Sequence, residues 1–365
     1  MNILVAIDSF KGTLSSADLS RIIHEHFTPK GHLVKMIPIS DGGEGFIESI
    51  HTFLECPMRV TSSFGPLMDV IDVQYILYHG TAFIELHATS GITRIPKQRL
   101  NPMKTTTYGL GVLIKHVILE GAKKVVIGLG GSATNDGGAG MLQALGVNFM
   151  KDHQIIEEPM NGELIGTIDE VDTKAFNKLI SGVTFEIASD VTNPLLGHIG
   201  SSNVFSKQKG ATPEQTEMLE SHMSHYADVL ENHIGKAYRS QSGAGAAGGV
   251  GFAALALLKA HVHSGINYMI DLLDIESYIK QSDIVIVGEG KLDHQTRFGK
   301  APFGIASIAK KHQKKVIGLF GSTSDQNVSD YIDIVYAVVP TYATEEESLE
   351  NASHYFRRML EDIHI

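Results

Sequence analysis

Acidic, basic and amide side chains follow five apolar segments that each predict a β-strand. In chain order these side chains are Asp8 and Lys11, Asp41 and Glu44, Asn135 and Asp136, Asp190 and Asn193, and Glu289, Lys291 and Asp293. Parallel strands end at the same edge of a sheet, so we expect these loops to converge on one cleft. Several acids in one cleft would repel each other, and Mg²⁺, which prefers oxygen ligands, would offset that repulsion.

This mixture of side chains is typical of a phosphoryl-transfer site. Lysines and a metal ion hold the phosphates there, and a carboxylate accepts the proton of the acceptor hydroxyl. The simpler alternative for Asp8, Asp41 or Asp190, taken singly, is that the side chain only caps the following helix. Capping alone does not account for charged and amide side chains on all five loops.

The glycine-rich segment 125–146 is the most distinctive stretch of the chain. Val125, Val126, Ile127 and Leu129 predict a buried strand, six glycines fall between Gly128 and Gly140, and residues 139–145 predict a helix. Glycine lets a ligand approach the main chain, and a helix N-terminus attracts anions. The segment therefore predicts a phosphate-binding turn, with ligand contacts from Gly130, Gly131, Ser132, Asn135 and Asp136.

Other interpretations of the glycines and of the chain's function stay open. Gly128-x-Gly130-x-x-Ala133 fits a loose dinucleotide-binding pattern, which would suit a nicotinamide-dependent oxidoreductase of a small hydroxy acid. A non-catalytic hydroxy-acid sensor would bind the acid and leave ATP intact. Close packing alone would also require glycine. Residues 243–251 repeat the dinucleotide pattern without a convincing strand before it, so we expect a substrate or phosphate loop with contacts from Gly245 and Gly248.

The composition of the chain limits the classes of function that it can have. The chain has 365 residues, with 43% hydrophobic and 19% charged residues, as in an ordinary globular protein. The formal net charge of −11 argues against a nucleic-acid partner. Cys56, the single cysteine, cannot form an internal disulfide, and no apolar run is long enough to cross a membrane. We expect a cytoplasmic protein with small-molecule substrates, and a homo-oligomer is compatible with the sequence.

The two ends of the chain share a strand–loop–helix pattern that the middle lacks. This pattern predicts an α/β fold of two domains. One is a doubly wound, Rossmann-like parallel-sheet domain built from residues 1–60 and 281–365, and the other is a mixed-sheet α/β domain of residues 61–280 that carries the glycine-rich loops. Within them we expect a hairpin at residues 70–85, a helix at 252–260 and one last helix at about 345–363.

Seven blocks of the sequence resemble the bacterial glycerate kinases of type 1. The blocks lie in the family's order at residues 8–15, 41–45, 128–140, 189–197, 208–211, 243–249 and 288–300. Ser40, His87, Ser206-Lys207 and Lys291 depart from the family's pattern, and none of these departures removes a loop.

The resemblance implies transfer of the ATP γ-phosphate to D-glycerate with Mg²⁺, with 2-phosphoglycerate favoured as the product. Lys11 and Lys300 would then neutralise phosphate or the glycerate carboxylate. Asp190 and Asp293 would bind the metal and accept the hydroxyl proton, with the two roles not divided between them. The remaining residues expected around the substrates are Asp8, Asp41, Glu44, Asn193, Glu289 and Lys291.

Overall fold

The computed structural model describes residues 1–10, 12–40, 42–292, 301–323 and 331–365. Four predicted site residues, Lys11, Asp41, Asp293 and Lys300, lie outside the described residues. The chain divides into two compact units. The terminal unit comprises residues 1–41, 48–55 and 265–365, and the central unit comprises residues 42–47 and 56–264.

The strands, in chain order, are β1 (Asn2–Ile7), β2 (Leu33–Met36), β3 (Met58–Phe64), β4 (Val70–Tyr78), β5 (Thr81–Glu85), β6 (Lys124–Gly128), β7 (Asn148–Lys151), β8 (Gln154–Ile155), β9 (Glu170–Asp172), β10 (Thr184–Ala188), β11 (His261–His263), β12 (Ile284–Leu292), β13 (Lys315–Thr323) and β14 (Ile334–Val339).

The α-helices are α1 (Ser16–Phe27), α2 (Phe46–Leu54), α3 (His87–Ser90), α4 (Tyr108–Leu119), α5 (Ala139–Ala144), α6 (Lys174–Leu179), α7 (Ser201–Phe205), α8 (Pro213–Ile234), α9 (Ala246–Ala253), α10 (Gly265–Leu272), α11 (Ile275–Gln281), α12 (Ala301–Lys311), α13 (Glu345–Glu350) and α14 (Ala352–Glu361). Short 3₁₀ turns lie at Thr28–Lys30, Ile92–Arg94, Lys97–Arg99, Leu164–Thr167 and Lys207–Lys209, and a π turn lies at Ala254–Leu258. None of the helices in the described residues is long and apolar enough to span a membrane.

The terminal unit is built on a parallel sheet with the order β14-β13-β12-β1-β2. Its strands pair in parallel, with Ile3 opposite Ile284 and Ile284 opposite Lys315. Counted along the chain within this sheet, the order is 2-1-3-4-5, which is one of the two common doubly wound orders. The predicted doubly wound domain from both chain ends is confirmed.

Local sequence signals explain how the terminal unit begins. Ser15 caps α1 by accepting a hydrogen bond from the Asp18 N–H, and Leu19, Ile22 and Ile23 keep the helical spacing that buries one face. That face joins one apolar cluster with β1, β12 and β13, and α14 closes the cluster with Phe356. The unit therefore has its own core.

The central unit contains a six-stranded mixed sheet with the order β11-β10-β6-β5-β4-β3. The predicted hairpin is confirmed, since β4 and β5 pair antiparallel around a turn at His79-Gly80. From β5 to β11 the pairing is parallel, which brings the carboxyl ends of β6 and β10 to one edge. A separate antiparallel sheet has the order β8-β7-β9. The central unit also has its own apolar core.

Two predicted helices differ from the observed ones. The predicted helix 345–363 is two helices, because Asn351 between them adopts φ −134° and ψ 45°, outside the helical range. The predicted helix 252–260 begins earlier, at Val250, after three residues with positive φ from Ala247 to Gly249, and it ends in the π turn. The tight left-handed turn places the helix start before the apolar run that the prediction used.

Candidate active site

Asp8, Glu289 and Lys291 lie together at the carboxyl edge of the terminal sheet. Asp8 directly follows β1, and Glu289 and Lys291 belong to the end of β12, the strand paired with β1. The doubly wound strand order changes direction between these two strands. Ligands of such sheets bind in the crevice at this topological switch point. The fold therefore places three of the residues predicted from sequence at the position where this type of sheet binds ligands.

These three residues line a cavity of about 340 Å³. Asp8 and Glu289 are 6% and 8% exposed, whereas Lys291 is exposed. Phe10 and Leu349 contribute apolar surface to the wall of the cavity, and Leu349 is 67% exposed. A volume of this size falls in the lower range of small-molecule sites. The cavity combines carboxylates, an ammonium group and apolar surface, as a site for a small polar ligand requires.

The glycine-rich turn of the central unit packs backbone against backbone. A Cβ on Gly130 would lie 2.4 Å from the Gly43 Cα, and one on Gly128 would lie 2.4 Å from the Gly42 carbonyl oxygen. Only glycine allows the turns at residues 42–45 and 128–131 to approach this closely. Gly131 adopts φ +63° and lies against His87. This packing accounts for the glycines, and the predicted ligand contacts of Gly130 and Gly131 stay a prediction.

The second glycine-rich segment also packs against the first. A Cβ on Gly248 would lie 2.0 Å from the Thr134 carbonyl oxygen, and the Gly137 N–H donates to the Gly248 carbonyl at 3.0 Å. Gly245 donates its N–H to the Asn193 carbonyl at 2.9 Å. The structure thus joins the loops that contain Gly245, Gly248 and Asn193 to the turn around Thr134.

Asp136 is fully buried and its carboxylate shapes the start of α5. It accepts hydrogen bonds from the Thr107 N–H and hydroxyl at 2.8 and 2.7 Å, and from the Gly138 and Gly140 N–H groups at 3.1 and 3.3 Å. Burial raises the pKa of Asp136, and the hydrogen bonds from Thr107 oppose that rise. The carboxylate therefore occupies the N-terminal N–H groups that the sequence assigned to a phosphate.

Two amide side chains of the predicted site hold neighbouring loops. Asn135 is buried and donates from Nδ2 to Ser202 Oγ at 3.0 Å, while its Oδ1 has no hydrogen-bond partner within the described part of the chain. Asn193 donates from Nδ2 to the Ile199 carbonyl at 2.8 Å. Both side chains fix the path of the chain around the turn.

Asp190 lies at the carboxyl end of β10, next to the end of β6. It is half-buried, and the Ser264 hydroxyl donates to its Oδ1 at 2.6 Å. A short hydrogen bond from a hydroxyl fixes the orientation of a carboxylate. Asp190 is therefore a held carboxylate at the edge where a parallel sheet binds its ligands.

Glu44 and His87 lie beside the packed glycine turns. The Glu44 carboxylate is 3.8 Å from His87 Nε2, and its side chain is 67% exposed. Burial lowers the pKa of His87, with Glu44 acting in the opposite direction. Glu85, which sequence reasoning did not select, is buried and accepts a hydrogen bond from the Ile47 N–H at 2.8 Å, so it anchors the start of α2.

Lys209 is a second charged residue that sequence reasoning missed. It lies in the block 208–211 that carried part of the resemblance, yet no role was assigned to it. Its side chain is 2% exposed, and Nζ donates to Ser132 Oγ at 2.8 Å and to the Thr134 carbonyl at 2.7 Å. A lysine between Gln208 and Gly210 is typical of an exposed loop. Its burial is therefore visible only in the folded structure.

The described residues contain no group of three or more histidine, cysteine or acidic side chains that could hold a metal ion by themselves. Asp190 fits an ion bound another way, because Mg²⁺ is commonly held by one or two carboxylates together with substrate phosphate oxygens and water. The donor set around Asp190 is therefore compatible with Mg²⁺ that arrives with a nucleotide.

Comparisons with known proteins identify the family that this chain resembles over its whole length. The model of the glycerate kinase family matches residues 3–365. The glycerate kinase of Bacillus subtilis is 38% identical, over 100% of this chain and 97% of its own length. A protein named glycerate 2-kinase from Escherichia coli is also 38% identical, over 96% of this chain and 94% of its own.

A solved structure agrees in fold as well as in sequence. The structure, described as glycerate kinase 2 from Salmonella typhimurium LT2, superimposes with a TM-score of 0.83 at 38% identity, over 98% of this chain and 95% of that one. These relatives are phosphotransferases by name, so the kinase hypothesis is confirmed over the oxidoreductase and the non-catalytic sensor. The chain belongs to the glycerate kinase family.

Proposed function

We propose that this enzyme transfers the γ-phosphate of ATP to the 2-hydroxyl of D-glycerate, forming 2-phosphoglycerate and ADP. The observation that carries this proposal is the whole-length relationship to a protein named glycerate 2-kinase, at 38% identity. The cavity lined by Asp8, Glu289 and Lys291 supports it, because that cavity offers both carboxylates and a cation at the edge of a parallel sheet.

The reaction needs a base for one proton. The 2-hydroxyl oxygen forms a bond to the γ-phosphorus, the bond from that phosphorus to the β–γ bridging oxygen breaks, and the hydroxyl proton leaves. Asp190 and Asp293 are the two carboxylates proposed to accept this proton or to bind the metal. For Asp190, the hydrogen bond from Ser264 would hold the carboxylate in one orientation as the proton moves.

Mg²⁺, when bound with ATP, would neutralise charge on the phosphate oxygens. Asp190 and Asp293 are the residues proposed to hold it. Lys11, Lys291 and Lys300 would neutralise the remaining negative charge of phosphate or of the glycerate carboxylate. The charge of the chain is −11, so local cations are needed to attract substrates that are themselves anions.

The other predicted residues would bind or surround the substrates. Those that line the terminal cavity are Asp8 and Glu289, and Asp41 is a further predicted residue outside the described part of the chain. Those of the central unit are Glu44, Gly130, Gly131, Ser132, Asn135, Asp136, Asn193, Gly245 and Gly248. We propose that Asp136 and Gly248, which the protein itself buries, act by holding the turn rather than by touching a substrate.

The test is ³¹P NMR of purified protein with ATP, Mg²⁺ and D-glycerate. A new phosphomonoester doublet, split by one proton, is expected from phosphate on the secondary 2-hydroxyl. A triplet, split by two protons, would instead place the phosphate on the 3-hydroxyl and contradict the proposed product. ATP that stays intact would contradict the proposed reaction as a whole.

Two controls make this experiment specific. Chelation of Mg²⁺ should stop formation of the new resonance, and its return after Mg²⁺ is restored would support the metal requirement. L-glycerate in place of D-glycerate tests the configuration of the acceptor. Because ATP is abundant in the cytoplasm, we propose that the enzyme acts there.

A further inference from the structure

A buried cation lies beneath the glycine-rich turn of the central unit. Lys209 ends the 3₁₀ turn Lys207–Lys209, and its side chain is 2% exposed. Its ammonium group donates to Ser132 Oγ at 2.8 Å and to the Thr134 carbonyl at 2.7 Å. Both acceptors belong to the turn. A single positive charge is thus connected to two points of the segment predicted to bind substrate.

This cation has no carboxylate partner at short range. Across the described residues, no acidic oxygen lies within hydrogen-bond distance of Lys209 Nζ; its partners are a hydroxyl and a carbonyl. Asp136 acts on it only at longer range, and the Asp136 carboxylate already accepts hydrogen bonds from Thr107, Gly138 and Gly140. A buried ammonium group is costly unless a negative charge compensates it. A bound anion would supply that charge.

Ser132 connects the buried cation to the surface of the turn. Its oxygen accepts the hydrogen bond from Lys209, so its own O–H is directed elsewhere. No acceptor for that O–H is found among the described residues, and Ser132 is 7% exposed. A hydroxyl that accepts from a cation becomes a stronger donor, because hydrogen bonds in a chain polarise one another. The Ser132 hydroxyl is thereby prepared to donate to an anionic oxygen.

We propose that Lys209 is a positioning residue that acts through Ser132 to hold an anionic oxygen of a substrate at the glycine-rich turn. The ligand oxygen belongs to a carboxylate or to a phosphate, which present the same acceptor to the Ser132 hydroxyl. The proposal rests on the proposed function, since it needs an anionic substrate at this turn. Binding of the anion and protonation of Lys209 then stabilise each other.

This coupling makes substrate affinity depend on pH. Burial lowers the pKa of Lys209 to about 7, and Asp136 opposes part of that change. The other titratable groups near the turn are Asp136, whose pKa burial raises, Tyr226, whose pKa burial raises well above 10, and His87, whose pKa burial lowers. Loss of the Lys209 proton removes the charge that the anion needs, so affinity falls as pH rises through about 7.

The test compares Lys209→Met with Lys207→Met. Lys207 is exposed on the same 3₁₀ turn, so its variant controls for the loss of one lysine. In steady-state kinetics at pH 6.5, Lys209→Met should raise the KM of one substrate about tenfold and change kcat less than threefold. The substrate affected, D-glycerate or ATP, identifies the anionic oxygen as carboxylate or phosphate. An unchanged KM for both substrates, with the product still formed, would overturn the proposal and leave the proposed function intact.

Two further measurements separate positioning from support of the fold. Ser132→Ala should raise the same KM, and the double variant should raise it no further, because Lys209 acts through Ser132. The KM of the unmodified enzyme should rise about threefold between pH 7 and pH 8, because one group with a pKa of about 7 loses its proton over this range, whereas that of Lys209→Met should stay flat. Additive effects or a flat profile in the unmodified enzyme would each overturn the proposal.

The unmodified enzyme provides a test that does not depend on the folding of any variant. Titration calorimetry at pH 7.5 with D-glycerate, and separately with a non-hydrolysable ATP analogue, is run in two buffers of different ionisation enthalpy. Uptake of protons on binding one of these ligands is expected, because anion binding favours protonated Lys209. Binding of both ligands without proton uptake would contradict the proposal.

Discussion

The two units present the carboxyl edges of their parallel strands in different ways. At the edge of the terminal sheet, Asp8, Glu289 and Lys291 line an open cavity of about 340 Å³. At the edge of the central sheet, the glycine-rich turns fill each other's space, and Asp136 and Lys209 are buried within them. One edge therefore offers side chains to a ligand, and the other builds a rigid surface from backbone.

The difference lies in what surrounds the charged groups. The Asp136 carboxylate accepts four hydrogen bonds from the protein. Replacing Asp136 should therefore lower the free energy of unfolding more than it lowers substrate affinity. Lys291 is exposed, so replacing it should cost affinity with little change in stability. Measuring both the stability and the kinetics of such variants therefore tests this difference between the two edges.

The largest effect is expected from Asp190→Asn. Loss of the carboxylate removes a proton acceptor or metal ligand, so kcat should fall by about 10³-fold, within the range for general acid–base catalysis. The thermal midpoint should stay almost unchanged, because the amide still accepts from Ser264. Asp271→Asn, at an exposed acid of α10, is the control. Full activity in Asp190→Asn would remove Asp190 from the chemistry.

Asp136→Asn should lower stability most. An amide nitrogen cannot accept a hydrogen bond, so buried donors from Thr107 and Gly140 would lose their acceptor, at a cost of about 2–4 kcal/mol. Urea unfolding measures the loss, again with Asp271→Asn as the control. A midpoint equal to that of the control would mean that the carboxylate does not hold the turn.

Gly130→Ala should have a smaller but related effect. The added methyl group would lie 2.4 Å from the Gly43 Cα, so the two turns must separate, at a cost of about 1–3 kcal/mol. Gly304→Ala is the matched control, because its methyl group would meet Ile266 at an ordinary 3.4 Å and α12 favours alanine. Equal unfolding midpoints for the two variants would contradict the close packing of the turns.

Lys291→Met should leave stability unchanged and raise the KM of an anionic substrate about tenfold, the effect of one lost charge-assisted contact of about 1.4 kcal/mol. Lys311→Met, at an exposed lysine of α12, controls for the loss of charge. Identical kinetics in the two variants would exclude Lys291 from substrate binding and weaken the assignment of the terminal cavity.

The last prediction concerns the sign of the pH dependence of stability. In the folded protein, burial lowers the pKa of Lys209 to about 7, whereas an unfolded lysine titrates near about 10.4. Between these values the unfolded chain binds more protons, so the contribution of Lys209 to stability rises with pH. The stability difference between the unmodified protein and Lys209→Met should therefore grow in favour of the unmodified protein from pH 7 to pH 9. Urea unfolding at both pH values, with Lys207→Met as the control, checks the sign.

Much of the fold followed from hydrophobic periodicity and caps. The strand–helix pattern at both chain ends predicted the doubly wound sheet, and Thr212 followed by Pro213 is the cap and first-turn proline typical of a helix start, where α8 begins. The break at Asn351 was not predictable, because the residues on both sides of it keep a helical spacing. Local pattern identifies an element, but a single non-helical residue inside it is decided by packing.

The site was predictable where residue type alone suggests chemistry. Acids and lysines after strands identified the lining of the terminal cavity. Lys209 was not predictable, because its importance comes from burial and from contacts with residues more than seventy positions away. The glycines do not decide between two roles, since the pattern that suits a phosphate also suits two backbones in contact.

The pairing of β1 with β12 has a consequence for how the protein is made. Ile3 can pair with Ile284 only after the whole central unit has been synthesised. During translation, the central unit can form its core while the apolar faces of β1 and α1 remain exposed, because their packing partners have not yet been synthesised. We expect nascent chains released before β12 to have a protected central unit and a protease-sensitive N-terminal segment. The order of synthesis thus makes the unit with the open cavity the last to form.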